Sequence, residues 1–145
     1  MNETDQALSI AEMEAYLLEV FPQLYANGEQ QYFVESLDFD KTVVRLKYHD
    51  RHLRPGGTFS GPAIMSLGDL TVWIMVLARI GRVASAVTTS LNVNFLNRPG
   101  QVDLIAEGRL LKLGRRLAIG EVSIFSTGAD RPVAHITATY SIPPR

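Results

Sequence analysis

Asp69 is the only charged side chain between Arg54 and Arg79, and it sits in the middle of the run Pro62-Ala-Ile-Met-Ser-Leu-Gly-Asp-Leu-Thr-Val-Trp-Ile-Met-Val-Leu-Ala78. Apolar residues fall on nearly every side of that run, the pattern of a helix buried all round. On this reading the Asp69 carboxylate is buried as well. An ionised carboxylate out of water is costly unless it is paired, hydrogen-bonded or neutralised, so a chain that keeps one there has a use for it. A helix apolar all round must also be covered on more than one side, which restricts the chain to folds that wrap it.

The same run, from Gly61 to Ile80, has the length of a membrane span and is flanked by Arg54, Arg79 and Arg82. A central Asp costs roughly 2.5 to 3.5 kcal/mol on insertion, and Pro62, Ser66, Gly68 and Thr71 dilute the hydrophobicity. The expectation is a core helix and no membrane span. At the N-terminus, Met1 to Gln6 is acidic and polar with no basic region ahead of an apolar stretch, so no secretory signal is read and the cytoplasm is expected. Fourteen basic against fifteen acidic residues give a net charge of -1, which provides no global field for nucleic acid or membrane. There is no cysteine, which excludes disulfides, thiol catalysis and thiolate-held metals.

Around the apolar run the chain reads as one domain of 145 residues, with residues 1–28 as a leading helix and turn and 29–145 as the core. Ser9-Ile-Ala-Glu12 is a capping box, and Ile10, Met13, Leu17, Val20, Phe21 and Leu24 follow at helical spacing to near Pro22. Asn27-Gly28 marks a turn. Tyr32 to Leu37 and Thr42 to Tyr48 then read as a hairpin joined around residues 38–41.

Arg54-Pro-Gly-Gly57 centres a loop before the apolar helix, which begins at Ser60 or Gly61 and is closed by Gly81. Four strands follow: Ala84 to Leu96, Val102 to Leu113, Leu117 to Ser126, and Val133 to Ile142. In the first, Val87, Leu91, Val93 and Phe95 form an apolar face and Thr88, Ser90, Asn92 and Asn94 a polar one. In the last, Ala134, Ile136, Ala138, Tyr140 and Ile142 form the core face. Consecutive strands with short turns imply an α+β fold in which a curved antiparallel sheet wraps one long central helix. One sheet rarely covers a helix completely, so the uncovered stripe predicts a second subunit.

The element order and the run His52-Leu-Arg-Pro-Gly-Gly-Thr-Phe-Ser-Gly-Pro-Ala-Ile-Met-Ser-Leu-Gly-Asp69 resemble the hotdog-fold acyl-CoA thioesterases of the phenylacetate-pathway, or PaaI-like, type. That family reads His-x-Asn-x-x-Gly-x-x-His-Gly-Gly, then Leu-Ala-Asp at mid-helix, and Asn94-Phe-Leu-Asn-Arg-Pro99 is similar to its Phe-Leu-Arg-Pro strand end with one residue more. The resemblance runs from about Gln30 to the C-terminus. It implies a hotdog fold and hydrolysis of a coenzyme A thioester to free acid and thiol, with Asp69 as general base or nucleophile. It further implies that the Gly61 N–H polarises the thioester carbonyl, that the Thr88 hydroxyl holds the attacking water, and that Arg54, Gly57, Ser60, Arg115 and Arg116 contact substrate. The chain departs from the family at three positions: Arg54 stands for its loop Asn, Ser60 for its His and Pro62 for its second Gly, and Pro62 has no N–H to donate.

Spacing adds a further constraint. Asp69 lies eight residues after Gly61, about 12 Å along a helix at 1.5 Å per residue. That is too far for both to reach one thioester from the same chain. Antiparallel helices across a dimer would bring Gly61 of one subunit to Asp69 of the other, so a homodimer at least is expected, with a tetramer as a dimer of dimers the further option.

Simpler roles stand beside these. Asp69 is explained equally by hydrogen bonds to Ser66 or a loop N–H, Ser60 by an N-cap, Gly56-Gly57 by a flexible turn, and Arg115 and Arg116, with Arg98 and Lys112, by solvent exposure rather than coenzyme A phosphates. Trp73, Met65 and Met75 either pack the core or line an acyl pocket. His49, His52 and His135 lack metal-ligand spacing and a recognisable carboxylate partner, so no metal or other cofactor is expected. The alternative function is a non-catalytic acyl-CoA or hydrophobic-ligand binding protein on the same scaffold.

Overall fold

The computed structural model describes residues 8–38 and 40–144, so the reading of Met1 to Gln6 lies outside the described residues. Helix α1 spans Ile10–Val20 and begins at the expected capping box: Ser9 Oγ accepts from the Glu12 N–H, and Glu12 Oε1 accepts from the Ser9 N–H, both at 3.1 Å. Its buried residues are Met13, Tyr16 and Leu17, and the chain leaves it at Phe21 into a short 3-10 turn, Pro22–Leu24. Glu14 ties the helix to the sheet, accepting from the Val34 N–H at 3.0 Å and from Gln30 Nε2 at 2.9 Å.

Strands β1 (Tyr25–Ala26) and β2 (Glu29–Gln30) pair as a miniature hairpin. Asn27 and Gly28 between them both have positive φ, 52° and 78°, as a type I′ turn requires. The main sheet comprises β3 (Tyr32–Leu37), β4 (Thr42–Leu46), β5 (Val87–Phe95), β6 (Leu104–Leu113), β7 (Leu117–Ser126) and β8 (Pro132–Ser141), in the order β3-β4-β6-β7-β8-β5 with every pairing antiparallel. Strand β5 starts at Val87 rather than Ala84, because residues 81–86 are tied into turns by Val83 N–H to Gly81 O and Ala86 N–H to Val83 O.

Helix α2, Gly61–Ile80, lies across the concave face of this sheet. Val44, Leu46, Leu104, Ala106, Val122, Ile124, Ala134 and Ile136 meet it from the sheet, all with no exposed surface. Close approach is built with glycine on both sides: a Cβ on Gly68 would strike the side chain of Ile136, and Gly108 and Gly120 lie under Met75. Although the helix is long and apolar enough to cross a membrane, 78% of its most hydrophobic window is buried inside the protein, so it is a core helix.

Two expectations need correction. Helix α2 is not buried all round, because Pro62, Met65 and Ser66 are exposed and Asp69 is only partly buried, forming one open stripe that a single sheet cannot reach. Nor does β5 alternate cleanly. A bulge at Thr89 places Thr88 opposite Tyr140 and Ser90 opposite Thr139, so the inner face carries Thr88, Leu91, Val93 and Phe95, while Val87 pairs with Ser141 on the outer face.

Candidate functional site

The open stripe of α2 and the bulged start of β5 come together at Asp69. Thr88 Oγ1 donates to Asp69 Oδ1 at 2.7 Å, and the Tyr140 hydroxyl lies 2.6 Å from the same oxygen and 2.9 Å from the Asp69 carbonyl O. Ser66, the partner expected from sequence, plays no part in these contacts. The register explains the geometry: Thr88 and Tyr140 are direct cross-strand partners, so both hydroxyls rise from the same face toward the helix. Burial pushes the Tyr140 phenol well above its ordinary pKa, and its hydrogen bond to Asp69 adds to that, so the hydroxyl keeps its proton as a donor.

Asp69, Thr88 and Tyr140 border a cavity of about 500 Å³. One wall is α2, through Ser66, Leu70 and Trp73; the opposite wall is the end of α1 and the following turn, through Val20, Phe21 and Leu24. Phe21 meets Trp73 edge to face, ring centroids 6.0 Å apart. Trp73 therefore lines the cavity, whereas Met75 packs on Gly108 and Gly120 and Met65 is exposed.

Gly61 does not share this cavity. It is the first residue of α2 and borders a separate hollow of about 250 Å³ with Arg54, Ile64, Phe95 and Asn97. Ser60 caps the helix, Oγ accepting from the Ala63 N–H at 3.2 Å and the carbonyl from the Ile64 N–H at 3.1 Å. Pro62 has no N–H, and among the described residues nothing accepts from the Gly61 N–H, which leaves it available at the positive end of the helix dipole. Gly57 closes a tight turn, its N–H donating to Arg54 O at 3.0 Å and its carbonyl accepting from Gln101 Nε2 at 3.0 Å. Its φ of +83° suits glycine.

Arg115 and Arg116 are exposed in the β6–β7 turn. Leu117, Ser141 and Val87 stand in register across β7, β8 and β5, so this turn lies at the Asp69 end of the sheet, about 10 Å from β5 at the usual strand spacing. Arg98 follows the far end of β5, nearer Gly61. The histidine reading also needs correction: His135 Nε2 lies 3.2 Å from Glu121 Oε2, a diagonal pair on the outer face of β8 and β7. Arg109, bound to the same carboxylate at 2.6 Å, is the main cause that holds the Glu121 pKa below the ordinary value.

Sequence reasoning placed Asp69, Gly61 and Thr88 in the site but left Tyr140 in the core and the end of α1 outside. The signal for Tyr140 was present: a tyrosine among small residues on a buried strand face needs a partner for its hydroxyl.

The thioesterase superfamily model matches residues 56–133. A candidate thioesterase from Silicibacter sp. TM1040 is 44% identical and superposes with a TM-score of 0.87 over 99% of this chain and 97% of that one. A mutant of the phenylacetic acid degradation protein PaaI from Thermus thermophilus is 25% identical, with a TM-score of 0.67 over 77% of this chain and 93% of that one. A thioesterase-fold protein from Streptococcus pneumoniae, solved with coenzyme A, is 19% identical, with a TM-score of 0.71 over 94% and 98%. Among curated proteins, a candidate esterase from Saccharolobus solfataricus is 29% identical over 61% of this chain, and the match spans 63% of the relative's own length. The chain belongs to the thioesterase superfamily, with the hotdog fold and the PaaI-like kinship its motif implied. By class it is a thioester hydrolase.

Proposed function

We propose that the protein hydrolyses acyl-CoA thioesters, with Asp69 as the reacting carboxylate and the active site shared between two subunits. The observation that carries this reading is the Asp69 carboxylate, held by two hydroxyls in the wall of a cavity of mixed polar and apolar lining that is large enough for an acyl group. The acyl chain lies between Trp73 and the end of α1. The coenzyme A moiety extends outward, with Arg115 and Arg116 near enough to the cavity to meet its phosphates. A fold relative that holds coenzyme A supports that ligand class.

Hydrolysis then proceeds by general base or nucleophilic attack. As a base, Asp69 takes a proton from a water held by Thr88 while the water oxygen bonds to the carbonyl carbon. The carbonyl oxygen becomes an oxyanion facing the Gly61 N–H, which the dipole of α2 reinforces. The C–S bond breaks as the tetrahedral centre collapses, and the thiolate recovers the proton from Asp69, leaving free acid and coenzyme A. As a nucleophile, Asp69 bonds to the carbonyl carbon itself and the C–S bond breaks to expel the thiolate; water then hydrolyses the mixed anhydride to free acid and the Asp69 carboxylate, and the proton it releases converts the thiolate to the thiol.

Gly61 and Asp69 border different cavities of one chain, separated by about 12 Å of helix. An antiparallel second copy of α2 joins the two halves. The free edge of β5, with Val87 57% and Phe95 55% exposed beside the open stripe of α2, supports a homodimer through this face. A dimer of dimers and a cytoplasmic location, where coenzyme A thioesters and a cysteine-free chain are at home, complete the proposal.

The test is Asp69→Asn, assayed by thiol release from a panel of short, long and aromatic acyl-CoAs. Hydrolysis is expected to fall at least about a hundredfold while acyl-CoA binding persists. Full activity in a folded Asp69→Asn protein would remove the assignment. Saturable binding without thiol release in the parent protein would instead favour a binding role, to which Arg54 and Ser60, standing where the family pattern has its loop Asn and its His, lend their weight.

A further inference from the structure

Asp69 offers two oxygens, and they are not equivalent. Thr88 and Tyr140 both bond Oδ1, at 2.7 and 2.6 Å, and among the described residues no group bonds Oδ2. A carboxylate with one oxygen doubly held cannot rotate freely about its Cβ–Cγ bond, so the other oxygen has a fixed direction. We propose that Tyr140 is the positioning residue of this site: it locks Asp69 Oδ1 together with Thr88 and so presents Oδ2 alone to the substrate. The proposal rests on the reading of Asp69 as the reacting carboxylate.

Four further observations support it. Tyr140 is 3% exposed, so its ring is a rigid part of the core and its hydroxyl does not wander. Its backbone is paired on both sides, to Ala118 on β7 and Thr88 on β5, so the strand position from which the ring rises is fixed. The bulge at Thr89 brings Thr88 to the inner face directly opposite Tyr140, so the two hydroxyls converge on one oxygen. Burial holds the proton on the phenol, so toward Asp69 it acts only as a donor.

Tyr140→Phe removes one oxygen and keeps the ring. The expected result with acyl-CoA substrates is a kcat reduced roughly ten- to a hundredfold with KM changed by less than about twofold, because the lost bond aims the reacting oxygen rather than holding the substrate. A merely structural tyrosine would lower thermal stability and leave kcat unchanged in the folded protein. If Tyr140→Phe does not fold, a fluorinated tyrosine at position 140, which keeps the ring and is a stronger donor, should change kcat with KM unaltered. An unchanged kcat in either folded protein overturns the proposal. Asp69→Asn, run alongside, separates the two ideas: full activity there removes the role of Asp69 itself, whereas loss there with no effect at position 140 removes only the role of Tyr140.

Discussion

Replacing Gly61 with proline deletes its N–H group, and with Gly61→Ala as a control for the Cβ added ahead of Pro62 it probes the proposed two-subunit site. Gly61 is the first residue of α2, the helical position where proline is best tolerated. Ser60 before it has φ -73° and ψ 155°, the extended conformation that a residue preceding proline adopts. Both hydrogen bonds of the Ser60 cap, to the N–H groups of Ala63 and Ile64, are unaffected. Loss of one oxyanion donor costs about 10² to 10³ in kcat, or about 2.7 to 4 kcal/mol. Gly61→Ala is the control, because it keeps the N–H and its Cβ would meet Phe95 at 3.4 Å, an ordinary contact.

Thiol release from an acyl-CoA measures kcat, and circular dichroism melting checks that both variants fold. A Gly61→Pro protein within about threefold of the parent kcat would refute the role of this N–H. Mixing then tests the shared site. Subunits of Gly61→Pro and Asp69→Asn, each inactive alone, should regain roughly a quarter of the parent rate after equal mixing, since half the dimers are mixed and each holds one intact site. If mass measurement shows mixed dimers but activity does not return, the site lies within one subunit and the spacing argument fails.

Gly68→Ala should destabilise the fold by about 1 to 3 kcal/mol, lowering the melting temperature by several degrees, because its Cβ has no room against the fully buried Ile136. An unchanged melting temperature would mean that α2 can lift from β8 at no cost. Phe21→Ala opens the cavity wall that packs on Trp73 and should raise kcat/KM for longer acyl chains over shorter ones by about tenfold or more; an unaltered chain-length profile would place the acyl group elsewhere.

Much of this protein is local enough to be read along the chain. The capping box at Ser9 and Glu12, the type I′ signature of Asn27-Gly28, and the start of α2 at Gly61 beside Pro62 all depend on residues within one turn of each other, so sequence and structure agree there. The motif from His52 to Asp69 carried the family with it, since its glycines and its helix start are set by backbone requirements that few other residues meet. The lone carboxylate on an apolar helix likewise named its own importance, through the cost of desolvating a charge.

What the chain order could not disclose was who holds that carboxylate. Ser66 was the near candidate, but the bonds come from Thr88 and Tyr140, which are 19 and 71 residues from Asp69 and meet it only because β5 crosses to pair with β8. A one-residue bulge decides which face Thr88 takes, and period-two alternation cannot detect a bulge in advance. The same holds for the end of α1 as a cavity wall and for the open stripe on α2, since a helix is covered or left bare by the reach of a sheet assembled from the whole chain. Sequence singled out Asp69 as the carboxylate to explain, because its cost is local; tertiary structure decided that Thr88 and Tyr140 hold its Oδ1, because those partners come from distant strands.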